Sequence, residues 1–164
     1  LTLLDVDQDL LDLNRGLVEV AWFHSGRPVM IVPKGARTFS LRHILVAWDG
    51  GPQAARAVHD ALPFLKRAGK VDLITVLGEK SLSDKAHGND MAHHLGYHGI
   101  NVLPSEVHAH GGDVGQALRL RAKEGGADMI VMGAYGHSRL REMVLGGVTQ
   151  ALLHDCPVPV FLSH

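Results

Sequence analysis

At 164 residues, with 46% hydrophobic and 20% charged residues, the sequence has the length and apolar content for one core-forming domain with a short appendage. A formal net charge of -1 leaves neither a basic field for nucleic acid nor a polybasic membrane patch. No apolar run approaches the roughly 18 residues of a membrane span, no secretory leader opens the chain, and Cys156 is alone, which excludes an internal disulfide and a cysteine zinc cage. A cytoplasmic protein is expected, and Leu1 in place of Met points to a trimmed start.

Leu1 to Leu4 is a short apolar run, followed by acidic residues up to Asp12. Residues 15–24 place Leu17, Val20, Ala21 and Phe23 at helical spacing, and Ser25-Gly26 ends that segment. Residues 28–32 (PVMIV) have the β-branched content of a strand, stopped by Pro33-Lys34-Gly35. This opening resembles the end of the chain. His24 to Val32 reads beside His154 to Leu162 with one residue of slippage, and Leu1 to Leu4 matches Met129 to Met132. Residues 1–33 are therefore expected to be the trailing piece of a degenerate or missing first copy of the following domain. An unrelated extension supplying one extra strand is the alternative.

Residues 34–41 read as a linker, and 42–164 as the main domain. Arg42 to Trp48 is a strand ending in Asp49-Gly50-Gly51-Pro52. Pro52 to Ala68 is a helix that Pro63 interrupts and Gly69 caps. Val71 to Leu77 is a strand and Ser83 to His98 a weaker helix. Asn101 to Ala109 is a strand whose Pro104 suits a sheet edge. Asp113 caps a helix from Val114 to Glu124. Met129 to Met132 is a strand buried on both faces, and Val158 to Leu162 is the last strand. This alternation predicts an α/β fold, an open parallel five-stranded sheet with helices on both faces, plus the N-terminal helix and strand. If the order is 3-2-1-4-5, the winding reverses between the first and fourth strands, and ligands bind outside their carboxyl ends. Asp49 and Gly133 then meet in one crevice.

After the fourth strand the chain reads Gly133-x-x-Gly136, nine residues, then Gly146-Gly147-Val148-Thr149. Glycines let a backbone turn sharply off a strand and let a ligand approach closely. Free N–H groups at the next helix start favour phosphate, and His137, Ser138, Arg139 and Thr149 could add donors. From spacing alone, the same glycines serve tight turns and close packing equally well. Asp49-Gly50 is likewise a common turn and cap choice.

These residues resemble the nucleotide-binding signature of universal stress protein domains, namely Gly, two residues, Gly, nine residues, Gly, then Ser or Thr. HILVAWDGG at the first strand, GADMIVMG before the loop and GHSRLREMVLGGVT after it resemble that family too. The resemblance covers residues 42–164 and, less clearly, 17–33. It implies a flavodoxin-like, Rossmann-like domain that binds ATP or AMP, with or without Mg2+. It implies that Asp49 lies by the ribose, with Ala47 and Trp48 counted among the binding residues before it, and that Val76 meets adenine. Met132 and Gly133 would line the ribose and phosphate side. Gly136, Gly146, Val148 and Thr149 would hold the phosphates, beside His137 and Arg139. Gly147 stands where the family has Ser or Thr, so one hydroxyl donor to phosphate is lost. Trp48 is bulkier than the site needs and could stack on the base or close the pocket. In the family the last strand commonly mediates dimers, so strands 28–32 and 158–162 are expected to meet antiparallel, within one chain or across a homodimer.

The histidines are a competing feature. His94 and His98 are four apart on the expected helix, with His93 adjoining, and His108 and His110 share one strand face. Neither pair carries a third ligand fixed by sequence, so solvated surface histidines are expected rather than zinc. Cys156 is expected to be a buried structural thiol. There is no Ser-His-Asp signature, paired-carboxylate motif or Walker lysine. A regulatory or sensing module is therefore expected. A dimeric interaction module with a vestigial pocket, and a slow ATPase or zinc-dependent activity, are the alternatives.

Overall fold

The short apolar runs of the sequence become the strands of a single seven-stranded sheet. A computed structural model of the chain describes residues 1–6, 25–34, 36, 38–77, 88–109, 113–134, 152 and 156–164. The strands are β1 (Thr2–Val6), β2 (Val29–Pro33), β3 (His43–Ala47), β4 (Lys70–Leu77), β5 (Val102–His108), β6 (Met129–Gly133) and β7 (Val160–Ser163). The helices are α1 (Pro52–Leu65), α2 (Gly88–Tyr97) and α3 (Val114–Gly125). The order across the sheet is β1-β2-β7-β6-β3-β4-β5. Every neighbouring pair is parallel except β2 with β7. The expected helix 15–24, the start of the helix expected from Ser83 and the loop after Ala134 lie outside the described residues.

One expectation about strands needs correction. The sheet has seven strands rather than five plus one, because Thr2–Val6 pairs in parallel with Val29–Pro33. β2 lies antiparallel along β7, with Val29 opposite Leu162, Met30 opposite Phe161 and Ile31 opposite Val160. The antiparallel meeting expected of these two segments thus occurs within one chain. Pro104 does lie on an edge strand, β5, where a missing N–H costs no ladder bond on the outer side.

Strand side chains alternate between two faces, and the apolar residues divide accordingly. Leu45, Ile74, Val76, Ile130 and Met132 face Leu118 and Ala122 of α3, together with Leu152. Ile44, Val46, Leu73, Val131 and Phe161 face Ala57, Val58, Ala61 and Leu65 of α1 and Leu95 of α2. Phe161 is fully buried against Phe64 of α1, with ring centroids 5.7 Å apart at 61°. Helix α1 ends at Leu65, two residues beyond Pro63, with Lys66 as its C-cap. The helix runs through Pro63 without the expected interruption, and it ends short of Gly69. Helix α3 starts as expected, with the Asp113 carboxylate accepting from Gln116 N–H at 2.8 Å. Among the described residues, no helix is long and apolar enough to cross a membrane.

Polar groups tie the amino ends of β3, β4 and β6 together. The Asp128 carboxylate accepts from His43 N–H (3.0 Å) and Ser40 Oγ (3.1 Å), and Arg42 lies 3.5 Å away. Asp128 N–H in turn donates to the His43 carbonyl at 2.7 Å. The buried His43 ring places Nδ1 2.9 Å from the Gly125 carbonyl, so Nδ1 carries the hydrogen. Its Nε2 faces Asp72 at 3.1 Å without hydrogen-bond alignment. Burial pushes the Asp128 carboxyl upward, but the bonds from His43 and Ser40 and the Arg42 charge outweigh it, leaving the pKa below the ordinary value. Asp72 is lowered in the same way, with Lys70 and His43 outweighing its burial. A carboxylate depressed on folding stabilises the fold above its unfolded pKa and loses that contribution as pH falls through the folded value. Urea midpoints are therefore expected to fall as pH drops below about 4. Asp128→Asn is expected to lower the midpoint at neutral pH and to flatten the acid dependence.

Candidate functional site

The winding of the sheet reverses between β3 and β6, which are hydrogen-bonded neighbours. In open parallel sheets, ligands bind outside the carboxyl ends of the strands at such a reversal. Ala47 stands opposite Met132 at the mouth of that crevice. Ala47 packs against the cluster that also contains Val76 and Met132, so these three sequence-predicted residues share one face. Trp48 does not join them. It packs against the other cluster, beneath α1 and α2, while its N–H donates to the Ile74 carbonyl at 2.8 Å. Alternation along the chain puts Trp48 on the face opposite Ala47, which argues against a lid or a stacking platform. Its indole Nε1 is buried with no hydrogen-bond partner among the described residues.

The loop from β3 into α1 is built by Asp49. Its Oδ1 accepts from Gly51 N–H at 2.8 Å, closing a local turn ahead of the helix. Gly50 occupies the left-handed region at φ 73°, which favours glycine. A Cβ on Gly51 would lie 2.9 Å from that same Asp49 oxygen. Pro52 then opens α1, where its missing N–H costs nothing. Asp49 thus has a structural task, holding the turn from which α1 starts.

Gly133 shows why its position needs glycine. A Cβ there would collide with Ala54 N and lie 2.6 Å from the Gln53 carbonyl carbon. The first turn of α1 rests directly on the end of β6. Close packing therefore accounts for this glycine before any ligand does. Ala134 N–H continues onto the Ser163 carbonyl at 2.9 Å, and Ser163 Oγ donates to Asp60 of α1 at 2.7 Å. These two bonds tie β6, β7 and α1 into one corner beneath the crevice. Sequence reasoning missed the Ser163–Asp60 pair, because neither residue stands in a motif.

Gly136, His137, Arg139, Gly146, Gly147, Val148 and Thr149 lie outside the described residues. Asp49, Val76, Met132, Gly133 and Ala47 are the predicted residues present at the carboxyl ends of β3, β4 and β6. Away from the crevice, His93 and His94 are exposed on α2 and His98 lies just beyond its end. The rings of His94 and His98 meet edge to face at 4.9 Å. The ordinary pKa of His98 is lowered by desolvation and by the nearby charges of His94, Lys66 and His59. Among the described residues, no group of three or more His, Cys, Asp or Glu could hold a metal ion. Cys156 is half-buried against the α3-side core rather than fully buried.

The contact at residue 133 is open to test. Gly133→Ala must push the first turn of α1 away from β6, an overpacking change of roughly 1–3 kcal/mol. We expect a lower urea midpoint with an unchanged m-value.

Comparison with known proteins follows the same architecture. The family model described as the universal stress protein family matches residues 40–164. Universal stress protein Slr1230 of Synechocystis sp. is 28% identical over 143 residues, covering 82% of this chain and 46% of that protein. The crystal structure of a universal stress protein from Archaeoglobus fulgidus DSM 4304 superposes with a TM-score of 0.68 at 28% identity, covering 85% of this chain and 51% of that one. A universal stress protein in complex with cAMP shares the fold, with a TM-score of 0.57 at 22% identity, covering 76% of this chain and 99% of that one. The chain thus spans about half the length of the first two relatives. With the family match running through all of β3 to β7 and the winding reversing between β3 and β6, the chain belongs to the universal stress protein family.

Proposed function

We propose that the chain binds an adenine nucleotide, ATP or AMP, at the carboxyl ends of β3 and β6 and acts as a regulatory or sensing module. The observation that carries this reading is the pairing of Ala47 with Met132 at the winding reversal, immediately before the Gly133-x-x-Gly136 run. A parallel sheet offers its ligand crevice at that place. The glycine run would follow with backbone N–H groups for phosphate. A structural relative in complex with cAMP supports an adenine nucleotide as the ligand class.

In this reading Val76 presents its backbone to adenine and Asp49 lies by the ribose. Met132 and Gly133 line the sugar, while Gly136, Gly146, Val148 and Thr149 hold the phosphates, with Mg2+ as their counterion where three are present. The residues themselves would bind and orient. Gly147 keeps an N–H for phosphate but brings no hydroxyl, which favours fewer phosphates.

The test begins with denaturing the purified protein and identifying any released nucleotide by mass. Calorimetric titration with ATP, AMP and cAMP follows. Asp49→Asn keeps an oxygen for the Gly51 amide, so the fold is retained while affinity falls about tenfold. Gly147→Ser restores the hydroxyl and is expected to raise ATP affinity by roughly one to two decades. No heat and no released nucleotide at millimolar ligand would mean a vestigial pocket and would overturn the proposal.

A further inference from the structure

Helix α2 ends in a cap that fixes two of its histidines. Gly99 takes the left-handed conformation at φ 77°. Its N–H donates to the Gly96 carbonyl at 2.9 Å, and the Ile100 N–H donates back to the Leu95 carbonyl at 3.0 Å. These are the two bonds of a Schellman cap, with His98 as the capping residue. Leu95 and Ile100, joined by the second bond, are 0% and 5% exposed and anchor the cap in the α1-side core. His94 stands one turn before His98 on the same side of the helix. The backbone thus sets the distance between the two side chains before anything binds them.

That distance matches a shared metal ion. The ring centroids lie 4.9 Å apart. With metal–nitrogen bonds of about 2.0–2.1 Å, two imidazoles on one ion have centroids about 4.5 Å apart at a right angle and about 5.2 Å apart at the tetrahedral angle. The ring planes stand 70° apart, edge to face. His94 is exposed and His98 partly so, and each ring can turn about its soft terminal torsion without moving the backbone.

The surroundings narrow the kind of ion. Desolvation lowers the His98 pKa, and the charges of His94, Lys66 at the end of α1 and His59 within it lower it further. His98 is thereby held in the neutral form that ligates a metal. The same positive charges oppose a cation held by charge alone. On α2 itself His93 adjoins the pair and Asp90 lies one turn before it, but among the described residues no carboxylate joins the histidines in a group of three. A hard, oxygen-seeking cation such as Mg2+ or Ca2+ does not suit such a pair, whereas a borderline ion that bonds imidazole nitrogen does.

We propose that His94 and His98 form a bidentate site for a borderline divalent transition-metal ion, Zn2+ or Cu2+, with water completing its shell. Helix α2 ends just before β5 begins, so the site lies at the amino end of the parallel strands, opposite the strand ends of the candidate crevice. A bound ion adds a second clamp to the last turn of α2, beside the Schellman cap.

The experiment titrates residues 1–164, prepared without an affinity tag, with ZnCl2 and separately with CuSO4, by calorimetry and by NMR of the histidine ring protons. The chain has 12 histidines, so variants assign the site. One Zn2+ per chain is expected in the micromolar range, with Cu2+ tighter and Mg2+ without effect. His94→Gln and His98→Gln are each expected to weaken Zn2+ at least about tenfold, because a chelate becomes a single imidazole. Zn2+ raises the thermal midpoint of the parent and not of these two variants. His59→Gln and His93→Gln retain the affinity. Binding only at millimolar Zn2+, or affinity unchanged in both His94→Gln and His98→Gln, would overturn the proposal. A loss in His59→Gln or His93→Gln as large as in His98→Gln would place the metal elsewhere and equally overturn it.

Discussion

The first turn of α1 rests on the end of β6, with Ala54 N in the space that a Cβ of residue 133 would fill. Much of the candidate site depends on that contact. It sets where α1 begins, and so where Asp49 must close the turn that leads into it. It also draws Asp60 of the same helix onto Ser163 at the end of β7. The loop, helix start and strand ends form one corner, each held by a backbone approach or a short hydrogen bond.

The other end of the sheet is held by charge. Asp128 and Asp72 gather His43, Arg42, Lys70 and Arg121 around the amino ends of β3, β4 and β6. At the carboxyl ends of β3 and β7, the described polar contacts are the Asp49 turn onto Gly51 and the Ser163–Asp60 bond.

The antiparallel β2–β7 pair changes what the last strand can do. In a sheet ending at β7, a free apolar edge would remain for a second molecule. Here the chain's own segment Val29–Pro33 takes that edge, and Met30 meets Phe161 at the centre of the join. The exposed edge is passed outward to β1, which carries Leu1 and Leu3.

The sequence by itself determined the order and type of elements from residue 42 onward. Buried strands write continuous apolar runs, helices write a 3.6-residue period, and both signals are local. It raised the expectation of a repeat as well, because Pro28-Val29-Met30-Ile31 and Pro159-Val160-Phe161-Leu162 are alike in residue type. Of the candidate site, the positions of Ala47, Asp49, Val76, Met132 and Gly133 at or beside strand ends were legible in the apolar runs. Only the tertiary structure decided that β7 pairs within its own chain, because the strand pattern is the same whichever molecule supplies its partner. It alone showed that Trp48 turns to the α1 and α2 face, that Asp49 has one oxygen committed to Gly51, and that Gly133 is filled by α1. Each of these rests on atoms far apart in the chain, or on which way a loop residue faces, and neither leaves a periodic trace in the sequence.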